Sequence, residues 1–153
     1  MKEDYKKIVC TNKKAYYNYH IEEVYEAGLV LKGTEVKSLR LGKASIGDSY
    51  AQVKSGELYL LNCYIGPYPF ASYNQHEPLA PRKLLLHKKE IKRLVGKLKE
   101  RGLTLMPLRI YFCRGCAKVE LGLAKGKKKF DKREEIKKRD EERKLLKEYK
   151  IKR

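Results

Sequence analysis

At 153 residues the chain has room for one domain with a modest core and an appendage. Its 37 Lys+Arg against 19 Asp+Glu give +18 at pH 7, an excess that points to a polyanion: RNA, DNA or an anionic membrane surface. The opening MKEDYKKIVC holds no apolar run of the kind a secretory signal needs, and stretches such as AGLVL are far too short to span a bilayer.

That start makes a reducing cytoplasm the expected location, so Cys10, Cys63, Cys113 and Cys116 read as thiols rather than a disulfide framework. The segment NKKAYYNYH interleaves Lys13 and Lys14 with Tyr16, Tyr17, Tyr19 and His20. Cations there neutralise phosphate while rings stack on unpaired bases. The plainer alternative makes about half of these tyrosines core residues of a first strand. In YHIEEVYEAGLVL, period-two spacing puts Tyr19, Ile21, Tyr25, Ala27, Leu29 and Leu31 on one face, interrupted by Glu23. Glu22 and Glu26 share the other face and read as solvated.

TEVKSLR suits a short helix. SYAQVKSGELYLLNCYIG reads as two strands turned at Lys54, Ser55 and Gly56. Residues 66–82, GPYPFASYNQHEPLAPR, hold four of the five prolines. A connection of this length is functional or disordered; Tyr68, Phe70 and Tyr73 either stack on a ligand or, as the plainer reading expects, tuck onto the barrel.

In HKKEIKRLVGKLKER, Ile91, Leu94, Val95 and Leu98 fall on one helical stripe that ends near Gly102. GLTLMPLRIYFCRGCAKVELGLA is a second hairpin, with Ala117, Val119, Leu121 and Leu123 inward and Lys118 and Glu120 outward. With strands this short, a nearly closed antiparallel barrel is the way to avoid bare edges.

Cys113-Arg-Gly-Cys116 lacks the second pair, or the histidines, that a zinc site needs, and reads as a two-residue turn flanked by cysteines. Neither EAGLVLKG nor GLAKGKK matches a phosphate-binding loop, and no nucleophile has a nearby base, so no enzyme, metal or cofactor is expected. From Ala124 the tail carries 15 basic and 7 acidic residues. Lys125, Lys127, Lys128 and Lys129 begin beside a rigid strand, where they make a phosphate patch. Glu134–Lys138, Glu135–Arg139, Asp140–Lys144 and Glu148–Lys152 are acid-before-base pairs at i, i+4, each contributing a few tenths of a kcal/mol, so the tail is expected to be disordered or a nascent helix that orders on its partner.

In order, NKKAYYNYHIEEVYEAGLVLKGTEVKSLRLGKASIGDSYA, RKLLLHKKEI and KVELGLAKGKKKFDKREEIKKRD resemble the SsrA-binding small protein B family of bacteria over nearly the whole chain. The resemblance implies an oligonucleotide-binding-type β-barrel with two or three flanking helices over residues 1–123, and a basic tail over 124–153. It implies an adaptor of trans-translation that holds the tRNA-like domain of transfer-messenger RNA and brings it to stalled ribosomes. Alanyl-tRNA synthetase and elongation factor Tu take part through the RNA, and the tail enters the empty decoding centre and mRNA path.

By motif, the resemblance implies that Asn12, Lys13, Lys14, Glu26, Leu85, His87, Lys125, Lys127 and Lys128 face the tRNA-like domain, and that Lys129, Phe130, Asp131, Lys132 and Arg133 belong to the decoding centre. Glu26, a carboxylate, has to accept from a base or ribose hydroxyl rather than meet phosphate. Phe130 stands where relatives often carry His or Tyr, so it stacks but does not hydrogen-bond. The competing reading of the same charges is a general RNA- or single-strand-binding barrel without tagging activity.

Overall fold

The computed structural model describes residues 6–71, 73–127 and 129–151, leaving aside the side chains of 100–101, 129–132 and 150–151. In chain order the elements are β1 (Lys6–Thr11), α1 (Lys13–Asn18), β2 (Tyr19–Leu29), α2 (Gly33–Arg40), β3 (Ala44–Ser45), β4 (Tyr50–Lys54) and β5 (Glu57–Leu61). There follow β6 (Tyr64–Ile65), β7 (Arg82–Leu85), α3 (Lys88–Arg101), β8 (Thr104–Cys113), β9 (Cys116–Gly126) and α4 (Lys129–Ile151).

Strands β8, β4, β5, β7, β2 and β9 pair in that order, all antiparallel, and β9 pairs back to β8. This closes the barrel that the short alternating strands predict. β1 lies along the far half of β8, from Lys6 opposite Cys113 to Thr11 opposite Arg109. Both hairpins turn where the sequence says: Ser55-Gly56 and Arg114-Gly115 all take positive φ, the twist that two-residue hairpins need. Cys113 and Cys116 accordingly face each other across the end of the second turn.

One expectation about β2 is corrected. Tyr19 and Ile21 do not share a face with Tyr25, Ala27 and Leu29. Ile21 pairs with Ala124 and Glu23 with Leu123, so Glu22 is an extra residue that bulges the strand and shifts its alternation. Tyr25, Ala27 and Leu29 enter the barrel core with Leu58, Leu60, Leu121 and Leu123. Tyr19 and Ile21 instead pack on an outer cluster of Ala15, Met106, Leu108 and Ala124. Gly122 makes room for this cluster, because a Cβ there would stand 3.0 Å from Leu108 Cδ1.

That outer cluster seats α1, a six-residue helix absent from the sequence-based expectation. Asn12 starts it. Its Oδ1 accepts from Ala15 N at 3.2 Å, while its Nδ2 donates to the Pro107 carbonyl at 3.0 Å.

Helix α3 buries Ile91 and Leu94, as its stripe predicts, with Leu98 packed against the core. A fully buried leucine contributes on the order of 2 kcal/mol. The helix ends at Gly102 in the left-handed conformation (φ 60°).

Residues 66–82 are pinned at their base. Arg82, 3% exposed, reaches Glu35 Oε2 at 2.5 Å and the carbonyls of Cys63, Pro78 and Glu77 at 2.5, 3.0 and 3.0 Å. Glu35 also caps α2 by accepting from Lys32 N at 2.9 Å. Buried His76 bridges Thr34 Oγ1 (2.8 Å) and the Ile65 carbonyl (3.0 Å).

The tip corrects a second expectation. Tyr68 is half-buried, but Phe70 and Tyr73 are 79% and 89% exposed and do not tuck onto the barrel. Arg82 and His76 anchor the segment at its base, and the tip beyond them stands in solvent.

Helix α4 runs from Lys129 to Ile151. Among its described side chains none is buried; Leu145, Leu146 and Tyr149 are all more than 60% exposed. Among the described residues, no helix is long and apolar enough to cross a membrane.

Candidate nucleic-acid interface

Glu26, Leu85 and His87 come from two strands and a helix cap, and the fold brings them together. Gly28 of β2 pairs with Leu85 of β7, and His87 precedes the first residue of α3. With Gly28, Glu90 and Lys118 they line an open groove of about 420 Å³. Gly28 permits the close approach, since a Cβ there would lie 3.3 Å from the Leu85 Cβ. Leu85 stays 54% exposed, an apolar surface available to a ribose or base.

The Glu26 carboxylate is held in place from three directions. The Tyr111 phenol donates to Oε2, Lys6 Nζ stands 3.8 Å from the same oxygen, and Lys118 Nζ is 3.9 Å from Oε1. Lys6 also sits 4.9 Å above the Tyr111 ring. Burial, and then the bond to Glu26, push the Tyr111 phenol well above its ordinary range, so it remains a donor and fixes the carboxylate rotamer. What results is an oriented acceptor between two cations, suited to an exocyclic amine or ribose hydroxyl with phosphates on either side.

Sequence reasoning missed Lys6, Lys118 and Tyr111 here. Lys118 was legible as an outward position of β9. Lys6 and Tyr111 depend on the pairing of β1 with β8, for which the sequence carries no local signal.

A second group gathers where β2 begins and β9 ends. Lys13 and Lys14 are exposed on α1, and Lys125 is exposed opposite His20. Lys14 approaches Asp48 at 3.7 Å, but both side chains are largely in water, so this pair is weak and exchangeable. Tyr16 and Tyr17 are partly exposed on the same helix.

Lys125 and Glu26 lie on opposite faces of the sheet: Lys125 follows the parity of Leu121 and Leu123, whereas Glu26 pairs with Glu120 of the other parity. The proposed RNA-facing residues therefore form two patches around the barrel wall rather than one.

Two residues take other roles. Asn12 is 2% exposed with both amide atoms used internally, so its side chain caps the helix that carries Lys13 and Lys14 rather than standing free at the surface. Lys127 has a side chain only 3% exposed; it donates to the Tyr16 carbonyl at 3.1 Å and pairs with Glu135. It joins α1 to the tail rather than offering a free cation.

Lys128 lies outside the described residues, as do the side chains of Lys129, Phe130, Asp131 and Lys132; Arg133 is exposed on α4.

Comparison with known proteins agrees with this architecture. The family model for SmpB protein matches residues 9–151. The SsrA-binding protein of Geobacter metallireducens is 58% identical over 139 residues, 91% of each chain. That of Carboxydothermus hydrogenoformans is 58% identical over 141 residues, covering 92% of this chain and 95% of its own. A solved chain from "tmRNA-SmpB: a journey to the center of the bacterial ribosome" superposes with a TM-score of 0.66 at 57% identity, over 78% of this chain and 85% of that one. The barrel is thus of the expected oligonucleotide-binding type, and the chain belongs to the SmpB family.

Proposed function

We propose that this protein is an RNA-binding adaptor of trans-translation that holds the tRNA-like domain of transfer-messenger RNA and promotes its delivery to stalled ribosomes. Its relatives are SsrA-binding proteins, and the similar solved chain comes from work on tmRNA-SmpB and the bacterial ribosome. The observation that carries the reading is the groove where Glu26, Leu85 and His87 meet between Lys6 and Lys118. It supplies an oriented acceptor, an apolar rest and flanking cations, a combination that selects a folded RNA surface over bulk polyanion.

The barrel and the tail divide the work. Residues 1–123 bind the RNA with help from Lys125, while 124–153 serve the ribosome. Helix α4 leaves the basic end of the barrel with its described side chains in solvent, which suits it to lie in the vacant mRNA path against ribosomal RNA. Lys129 to Arg133 begin that helix and occupy the decoding centre in this reading. Elongation factor Tu and alanyl-tRNA synthetase are engaged through the RNA. The protein acts in the cytoplasm and carries out no chemistry of its own.

The test is a chain ended after Arg133. It should bind the isolated tRNA-like domain with unchanged affinity yet fail to support tagging on ribosomes stalled without a stop codon. Normal tagging by the truncated chain would refute the role given to the tail. Equal affinity of the full chain for unrelated structured RNAs at the same salt would refute specific recognition by the barrel.

A further inference from the structure

The exposed tip of residues 66–82 has no part in either patch described above. Phe70 is 79% and Tyr73 89% exposed, although the base of the segment is tied down by the buried Arg82, Glu35 and His76. The tip itself is braced: Gln75 Nε2 donates to the Tyr68 carbonyl at 2.9 Å, and Gln75 Oε1 accepts from Tyr68 N at 3.1 Å. Tyr68 and Phe70 meet edge to face with ring centroids 5.6 Å apart. Phe70 is therefore a ring presented to solvent on a braced support, beside a neighbouring ring.

Cations surround that support. Lys37 Nζ lies 5.4 Å over the Tyr68 ring. Lys43 abuts the start of the segment, where its carbonyl accepts from Gly66 N at 2.8 Å, and its side chain is exposed. The one acid of α2, Glu35, is consumed by Arg82; Glu77 is the exposed carboxylate within the segment.

From this combination we infer a second RNA contact, in which the Phe70 ring stacks on an unpaired base while Lys37 and Lys43 meet the adjoining phosphates. Stacking needs an exposed ring on a stiff mount, and phosphates need nearby cations free to reach them. Both are present. The charge also separates this ligand from an apolar protein groove, which would favour a tip without lysines.

The contact is separate from the basic end of the barrel. Helix α1 and Lys125 lie at the Tyr19 end of β2, and α2 follows its Leu29 end. The two share no residue, although the loop that follows Lys43 brings Asp48 within 3.7 Å of Lys14.

The experiment uses the full chain and two labelled probes, a short single-stranded oligoadenylate and an RNA duplex of equal length, followed by fluorescence anisotropy at one salt concentration. Phe70→Ala should weaken single-strand binding about tenfold and leave duplex binding unchanged. Phe70→Tyr should restore it, and Phe70→Leu, apolar but without a ring, should not. Ultraviolet cross-linking to the oligoadenylate should mark the peptide containing Phe70.

The inference is overturned if Phe70→Ala and Phe70→Leu bind the single strand like the parent, or if both probes weaken alike. It is equally overturned if the substitution reduces binding only to phosphatidylserine vesicles, which would make the tip a membrane contact. Because the tRNA-like domain is assigned to the Glu26 groove and the Lys13, Lys14 and Lys125 patch, Phe70→Ala and Lys13→Ala/Lys14→Ala/Lys125→Ala can fail independently, and the two readings are told apart.

Discussion

Lys127 joins the tail to the barrel: its ammonium bonds the Tyr16 carbonyl at the end of α1 and the Glu135 carboxylate near the start of α4. The same residue's backbone N donates to the Asn18 carbonyl at 2.9 Å. The bond to Lys127 holds the Glu135 carboxyl below the usual carboxylate range. Lys125, two residues earlier, is exposed.

These two lysines should therefore behave differently when neutralised. Lys125→Met is expected to reduce the salt dependence of RNA binding by about one unit of slope, because one phosphate contact is lost. Lys127→Met should leave that slope near its parent value but speed hydrogen exchange in α1 and the first turns of α4. Equal slopes for the two variants would place Lys127 on the phosphates after all.

The Arg82–Glu35 pair fixes the base of residues 66–82, and both side chains are almost fully buried. Glu35→Gln or Arg82→Met alone strands a buried charge or several carbonyls, so each should lower unfolding free energy by about 3–5 kcal/mol. Glu35→Gln combined with Arg82→Met should cost less than the sum, since neither charge remains. Denaturant titration checks both, and strict additivity would contradict the pairing.

Asn12→Ala removes the α1 cap and leaves the Pro107 carbonyl without its donor. A stability loss of about 1–2 kcal/mol is expected. The affinity of the folded variant for RNA should fall less than that of Lys13→Ala/Lys14→Ala, because Asn12 acts through helix position. A larger loss for Asn12→Ala would restore it to the contact surface.

Alkaline pH should destabilise the fold in a defined window. Burial, then the bond to Glu23, push the Tyr25 phenol up to about 12 from 10, and burial pushes the Cys63 thiol up to about 12 from 9. The folded chain keeps protons that the unfolded chain releases, so this stabilisation is complete below about pH 9 and drains away toward pH 12. The denaturant midpoint should fall across that interval, and less steeply in Tyr25→Phe. A constant midpoint would contradict the assignment.

The parts of the fold written in local chemistry were legible. Ser55-Gly56 and Arg114-Gly115 announce two-residue turns, and the spacing of Ile91, Leu94 and Leu98 announces α3. What escaped depends on pairing between distant strands. The Glu22 bulge alters which β2 side chains face inward without disturbing the pattern that a reader sees. Helix α1 is six residues long and holds two tyrosines, which by propensity suit a strand; Asn12 and the Met106–Leu108 cluster decide otherwise. The Glu26 surroundings show the same division. Glu26, Leu85 and His87 were named by motif, but Lys6 and Tyr111 arrive only through the β1–β8–β9–β2 arrangement.

Salt-dependent binding of the isolated tRNA-like domain is the most direct test of the central claim that lysines on a rigid β scaffold recognise this RNA. In Lys13→Ala/Lys14→Ala/Lys125→Ala, the slope of log affinity against log salt should shrink by about three units, with marked weakening at physiological ionic strength. Affinity and slope equal to those of the parent would contradict the claim.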